Sequence, residues 1–160
     1  MVSGPCSRPG RGDEREWLNA DASLSLESLR GKVVLLEAFQ MLCPGCVSHG
    51  IPQAQRARQA FPEDALAVVG LHTVFEHHEA QGSAVALKAF LHENRVRFRV
   101  GIDAHADGDP IPLTMRAYAM QGTPTLLLYD RAGRLRLQRF GTIEDMALGA
   151  AIATLLAEAA

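Results

Sequence analysis

Val33-Val34-Leu35-Leu36-Glu37-Ala38-Phe39-Gln40-Met41-Leu42-Cys43-Pro44-Gly45-Cys46 is the stretch that decides how this chain folds. Its first seven residues are apolar at every position but one, the pattern of a central strand covered on both faces. Glu37 is the exception. An acid among such neighbours is predicted to be buried, with a raised pKa and a part in proton transfer. The strand runs into a Cys-x-x-Cys turn that opens a helix. That places Cys43 at the helix N-terminus, where unpaired backbone N–H groups and the macrodipole favour a thiolate. Pro44 suits the first turn because its missing N–H costs little there. Cys46, one turn in and more buried, is positioned to attack a mixed disulfide formed on Cys43.

Outward from this stretch, Val47, Ile51, Ala54 and Phe61 keep helical spacing to about Ala60, with a kink expected at Pro52. Leu66 to Leu71 reads as a second buried strand and Thr73 to Gly82 as a polar loop. Ser83 is a candidate cap for a helix to about Asn94, with Val85, Ala86, Ala89 and Phe90 on its inner face. Phe98, Val100 and Ile102 alternate as in a strand with one wetter face. Asp103 to Pro112 reads as a loop and Leu113 to Met120 as a short helix. Thr125 to Tyr129 and Leu135 to Phe140 form a hairpin around Asp130-Arg131-Ala132-Gly133. Thr142, with Asp145 three residues on, is a capping-box-like start for the last helix. Towards the N-terminus, Leu24 to Leu29 reads as a short turn packed beneath the sheet, and Trp17 and Leu18 open the folded part. The order βαβαβ(α)ββα predicts an α/β domain of three layers, a central mixed sheet flanked by helices.

The whole chain has 160 residues, which suits one domain over 17–160 that buries about 70% of its unfolded surface. Residues 1–16, rich in Gly, Pro and charge, read as a disordered tail. Sixteen basic against 18 acidic residues give a net charge of −2, so neither nucleic acid nor an anionic membrane is expected as a partner. Arg95, Arg97 and Arg99 read as a solvated strand face. No stretch reaches the roughly 20 apolar residues of a membrane span, and no apolar h-region of a secretory signal is present. The expectation is a cytoplasmic protein, or a periplasmic one where a targeting segment has been removed. Three cysteines are too few for a disulfide framework. Cys6 reads as an inert tail thiol, His49 as an exposed or packed helix residue, and His72, His77 and His78 as a surface cluster.

Four features together resemble the thioredoxin superfamily, and within it the redoxin or TlpA-like branch. They are the strand entering Cys43-Pro44-Gly45-Cys46, Glu37 six residues before the first cysteine, Gly122-Thr123-Pro124, and Tyr129-Asp130-Arg131-Ala132-Gly133-Arg134. The resemblance covers Leu26 to the C-terminus and implies a thioredoxin-like fold. It implies a thiol–disulfide oxidoreductase in which Cys43 attacks, Cys46 resolves and Glu37 moves a proton through water. It further implies a cis Thr123–Pro124 peptide beside Cys43, and a Thr123 backbone that pairs with an extended substrate segment. No cofactor is expected. The partners implied are a protein or small-molecule thiol or disulfide substrate and an upstream thiol reductant or oxidant. The chain departs from the pattern in three places. Leu42 stands where the family has Trp, the dipeptide is Pro-Gly, and Pro52 lies six residues after Cys46, one more than in thioredoxin. The dipeptide helps tune the redox potential, so the direction of electron flow stays open.

Two other readings compete. Cys43, Cys46, His49 and a loop histidine could hold zinc or copper, although no second Cys-x-x-Cys is present. A thiol peroxidase of the peroxiredoxin kind would want Thr or Ser three residues before its reactive Cys, and that position is Gln40.

Overall fold

The computed structural model describes residues 17–22 and 24–159; the expected tail and Cys6 lie outside them. Among the described residues, six strands form one mixed sheet in the order β1-β4-β3-β2-β5-β6. They are β1 (Trp17–Leu18), β2 (Val33–Phe39), β3 (Leu66–His72), β4 (Arg99–Ile102), β5 (Thr125–Tyr129) and β6 (Leu135–Phe140). β2, β3 and β4 run parallel, whereas β1, β5 and β6 pair antiparallel to their neighbours. The helices are α1 (Ile51–Ala60), α2 (His78–Gln81), α3 (Ala84–Glu93), α4 (Leu113–Ala117) and α5 (Asp145–Ala157).

The apolar runs explain this arrangement. β2 and β3 are covered on both faces, and all of β3 is buried. Val33, Leu35 and Phe39 join residues of α1, α3 and α5 in one core. Val34 and Ala38 face the opposite way, onto Leu29, Met115 and Met120. The three-layer α/β arrangement expected from the sequence is the one observed. β6 closes the sheet as a mostly exposed edge, where Arg136 and Arg139 discourage pairing with another chain.

Several local expectations are corrected. β1 is a two-residue edge strand, too short to leave a pattern, and it pairs with β4 through Trp17 and Leu18. The inner face of α3 is Leu87 and Leu91, with Phe90 half-buried, whereas Val85 and Ala89 are exposed. Ser83 does cap that helix, its Oγ accepting the Ala86 N–H at 3.1 Å. The last helix begins at Asp145, not Thr142, and has no side-chain cap. Gln53 and Arg56 of α1 both donate to the Asp145 carboxylate, and that is where its hydrogen-bonding capacity goes. The segment read as a polar loop has a buried start, Thr73 and Val74, and a single helical turn, α2.

Candidate active site

β2 ends in the sheet interior and delivers the chain to Cys43. The Cys43 N–H donates to the Gln40 carbonyl at 3.2 Å, which turns the backbone towards the next helix. Cys43 is half-buried and Cys46 is fully buried, and both thiols are free. The Cys46 N–H donates to the Cys43 sulfur at 3.2 Å, and the Cys43 thiol reaches the Thr123 carbonyl at 3.4 Å. The Cys43 sulfur therefore sits where a helix-start N–H can stabilise negative charge. Burial, followed by the side-chain interaction with Cys43, pushes the Cys46 thiol far above the ordinary range.

The helix that follows does not run at a uniform pitch. From Cys46 to Gly50 it makes one wide turn of π geometry, in which the Ile51 N–H reaches back five residues to the Cys46 carbonyl. A turn of this kind takes up one extra residue, and it sits just before Pro52, whose ring could not fit a regular turn there. The wide turn lies where the kink was expected, and it accommodates the proline. It also leaves Val47 partly exposed, although Ile51 and Ala54 after it are buried as expected.

Beneath this turn lies Glu37, 2% exposed, with Oε1 lacking any hydrogen-bond partner. Burial raises its carboxyl from an ordinary 4.5 to about 8. Thr123–Pro124 is a cis peptide. Two helix glycines make room for these groups. A Cβ at Gly45 would stand 3.3 Å from Pro124 Cδ; one at Gly50 would overlap Glu37 Oε1 and stand 3.0 Å from Pro124 Cβ. Neither glycine stands out in the sequence, because nothing local demands them: Gly50 has ordinary helical angles, φ −58° and ψ −56°. On propensity alone Gly50→Ala would add up to about 1 kcal/mol of stability. Here overpacking wins, and we expect a net loss of roughly 1–3 kcal/mol in urea unfolding. An unchanged midpoint would mean that Glu37 can swing aside.

The residues expected to carry chemistry thus converge: Cys43, Cys46, Glu37, Thr123 and Pro124 lie around the start of one helix. The same architecture occurs in a thioredoxin-like superfamily protein of known crystal structure, 61% identical, with a TM-score of 0.88 over 91% of this chain and 93% of that one. This chain belongs to the thioredoxin-like superfamily. A second member, a thiol-disulfide isomerase from Corynebacterium glutamicum, is 48% identical, with a TM-score of 0.86 over 90% of this chain and 92% of the other. The protein DipZ of Mycobacterium bovis and of Mycobacterium tuberculosis is 32% identical over 127 residues, 78% of this chain. The match spans 17% of the length of those mycobacterial proteins. No family model matches the chain.

Within the thioredoxin-like frame, the remaining candidates separate. The Gln40 Oε1 accepts the Phe75 N–H at 3.2 Å, and its Nε2 donates to Thr123 Oγ1 at 3.4 Å. Where a peroxidase would present a hydroxyl to peroxide, this side chain is buried and already engaged. His72 is not part of a surface cluster. As the last residue of β3 it is 1% exposed, its ring 5.4 Å from that of Phe39 and its Nε2 without a partner. Burial lowers its pKa from 6.5 to about 4. His77 and His78 are exposed as expected, and His78 packs edge-on against His105. The His49 Nε2 faces the Ile143 carbonyl at 3.3 Å. Among the described residues no three His, Cys, Asp or Glu side chains cluster as a metal would require, and no helix is long and apolar enough to cross a membrane.

Proposed function

We propose that the protein is a thiol–disulfide oxidoreductase acting through Cys43 and Cys46. The observation that carries this reading is the asymmetry of the pair. One sulfur is partly open and held by a backbone N–H, and the other is fully buried behind it. The likeness to a thiol-disulfide isomerase over nearly the whole length supports it.

In the reducing direction, the Cys43 thiolate attacks one sulfur of a substrate disulfide. A Cys43–substrate disulfide forms, and the other substrate sulfur leaves as a thiolate that takes a proton. Cys46 then gives up its proton and attacks the Cys43 sulfur. The substrate leaves as a second thiol, and the protein is left with a Cys43–Cys46 disulfide. Two electrons have passed to the substrate. Because burial keeps Cys46 protonated, this second step needs a base, and Glu37 is the buried carboxyl on hand beneath the turn that carries Cys46. It would exchange the proton through water. In the oxidising direction every step reverses.

The substrate would lie across Thr123–Pro124, its backbone adding to that segment as a strand. Leu42 and Val47 beside Cys43, and Phe140 against Gly122, are large apolar side chains left exposed around this position. Such a rim suits an extended protein segment better than a small polar thiol. A dithiol partner would complete the cycle by reducing or oxidising the pair.

Alkylation of the reduced protein near pH 7 tests the assignment directly. Cys43 is expected to be modified first and Cys46 to resist until the protein unfolds. Faster labelling of Cys46 would reverse the two roles.

A further inference from the structure

A buried polar group outside the proposed chemistry connects the loop before Cys43 with the Thr123–Pro124 segment. Gln81, at the end of α2, is 1% exposed. Its Oε1 accepts the backbone N–H of Leu42, the residue before Cys43, at 3.1 Å. Its Nε2 donates to Gln40 Oε1 at 3.0 Å and to the Glu76 carbonyl at 2.9 Å. Gln40, also 1% exposed, passes the connection on. Its Nε2 donates to Thr123 Oγ1 at 3.4 Å and to the Glu76 carboxylate at 3.5 Å. Thr123 in turn accepts from the Cys43 thiol through its carbonyl. Two side-chain amides therefore hold the loop before Cys43 and the Thr123–Pro124 segment against each other. No other side chain is bonded to the Leu42 N–H among the described residues.

We propose that Gln81, acting through Gln40, is a positioning residue for Cys43: it sets where the sulfur lies between the Cys46 N–H and the Thr123 carbonyl. The proposal rests on the reading of Cys43 as the attacking thiol. Its physical basis is selective. The Cys46 N–H favours a charged sulfur and the Thr123 carbonyl opposes one, so a displacement of a few tenths of an ångström changes which contact dominates. Among the described residues, the peptide between Met41 and Leu42 has no side-chain anchor other than Gln81, and the N–H of the next peptide, that of Cys43, goes to the Gln40 carbonyl. Both glutamines are needed because one amide cannot reach both Leu42 and Thr123. An amide is suited to the task because it accepts and donates at once without carrying charge into the interior.

The test uses Gln81→Met and Gln40→Met, which keep length and volume but remove the strong donor and acceptor, and the double variant. The readout is the rate at which iodoacetamide modifies Cys43 in the folded, reduced protein at pH 7, located by peptide mass spectrometry. This reaction needs no disulfide substrate, so it reports on the clamp even if wild-type protein fails to exchange disulfides, which would count against the functional reading instead. Each single variant should slow alkylation about tenfold, and the double variant little further, because the two residues act as one unit. Gln53→Met is the control. Gln53 is a buried amide that ties α1 to Ile143 and Asp145, and its loss should lower the melting temperature while leaving Cys43 alkylation unchanged. If Gln81→Met does not fold, Gln81→Asn, which withdraws the amide by one methylene, carries the same prediction. Alkylation at the wild-type rate despite a lower melting temperature would reduce Gln81 to a structural role. A double variant slowed by the product of the two single effects would show that the glutamines act separately.

Discussion

Cys46→Ser protein, mixed with a disulfide-bearing partner, is expected to stop halfway, as a covalent Cys43–substrate disulfide that persists until an external thiol cleaves it. Cys43→Ser is expected to fall to the uncatalysed rate, because the remaining thiol is fully buried and burial keeps it protonated. The contrast also tests the peroxidase reading. In a peroxidase, Cys46→Ser would form a sulfenic acid on Cys43 and turn over hydrogen peroxide slowly with external thiol. Gln40 is buried and committed to Phe75, Gln81, Glu76 and Thr123, so little peroxide consumption is expected. Incubating Cys46→Ser with cell lysate or with peroxide, and examining Cys43 by mass spectrometry, separates the two. Rapid sulfenate formation with no trapped protein would overturn the exchange mechanism.

The second large effect concerns Glu37, where stability and chemistry pull in opposite directions. In the unfolded chain this carboxyl ionises near 4.5; in the folded protein it holds its proton to about 8. Folding therefore takes up a proton between these values, and the native state loses stability as pH rises across that window. At pH 7 the loss is roughly 3 kcal/mol, at about 1.4 kcal/mol per pH unit above 4.5. Glu37→Gln removes it. The variant should be more stable than wild type by roughly that amount at pH 7, raising the melting temperature by about 6–12 °C, and indistinguishable from it near pH 4. His72 acts with the opposite sign. Its lowered pKa means that stability is lost as pH falls from 6.5 towards 4. The two groups offset each other between about 4.5 and 6.5, so wild type should show a flat maximum there and then decline to pH 8. Glu37→Gln should instead rise to about 6.5 and stay level. Thermal melts from pH 4 to 9 test this, and a variant less stable than wild type at pH 7 would refute it. The same variant should resolve the mixed disulfide more slowly, and a rate unchanged from pH 6 to 9 would remove Glu37 from the proton path.

Much of this site is legible in the order of its residues. An apolar run broken by one acid implies burial of that acid, since strand side chains alternate between two covered faces. A Cys-Pro-Gly-Cys turn after such a strand implies one open and one buried sulfur, because the helix that follows determines which way each residue points. These inferences use contacts within a few residues of one another, and local physics carries them. His72 escapes the same logic. It closes an apolar strand just as Glu37 interrupts one, but with His77 and His78 so near in the chain it reads as part of a surface cluster. Its neighbours come from elsewhere in the chain: its ring packs against Phe39 of β2, on which Phe90 of α3 in turn stacks.

The sequence by itself determined the order of the main elements, though not β1 or α2, the parallel core of the sheet, the placement of Cys43 at a helix start and of Cys46 one turn deeper, and the buried state of Glu37. Each follows from hydrophobic period, turn chemistry or helix-end electrostatics, all properties of neighbouring residues. Only the tertiary structure decided that Gly50 must lack a side chain, that a wide turn would take up the extra residue before Pro52, and that Gln81 would reach the Leu42 backbone. The first and last of these depend on segments 13 to 74 residues apart in the chain coming together: a Cβ at Gly50 would stand within about 3 Å of Glu37 and Pro124, and the Leu42 N–H lies 3.1 Å from Gln81 Oε1. Such distances are set by how the layers pack, which no local pattern encodes.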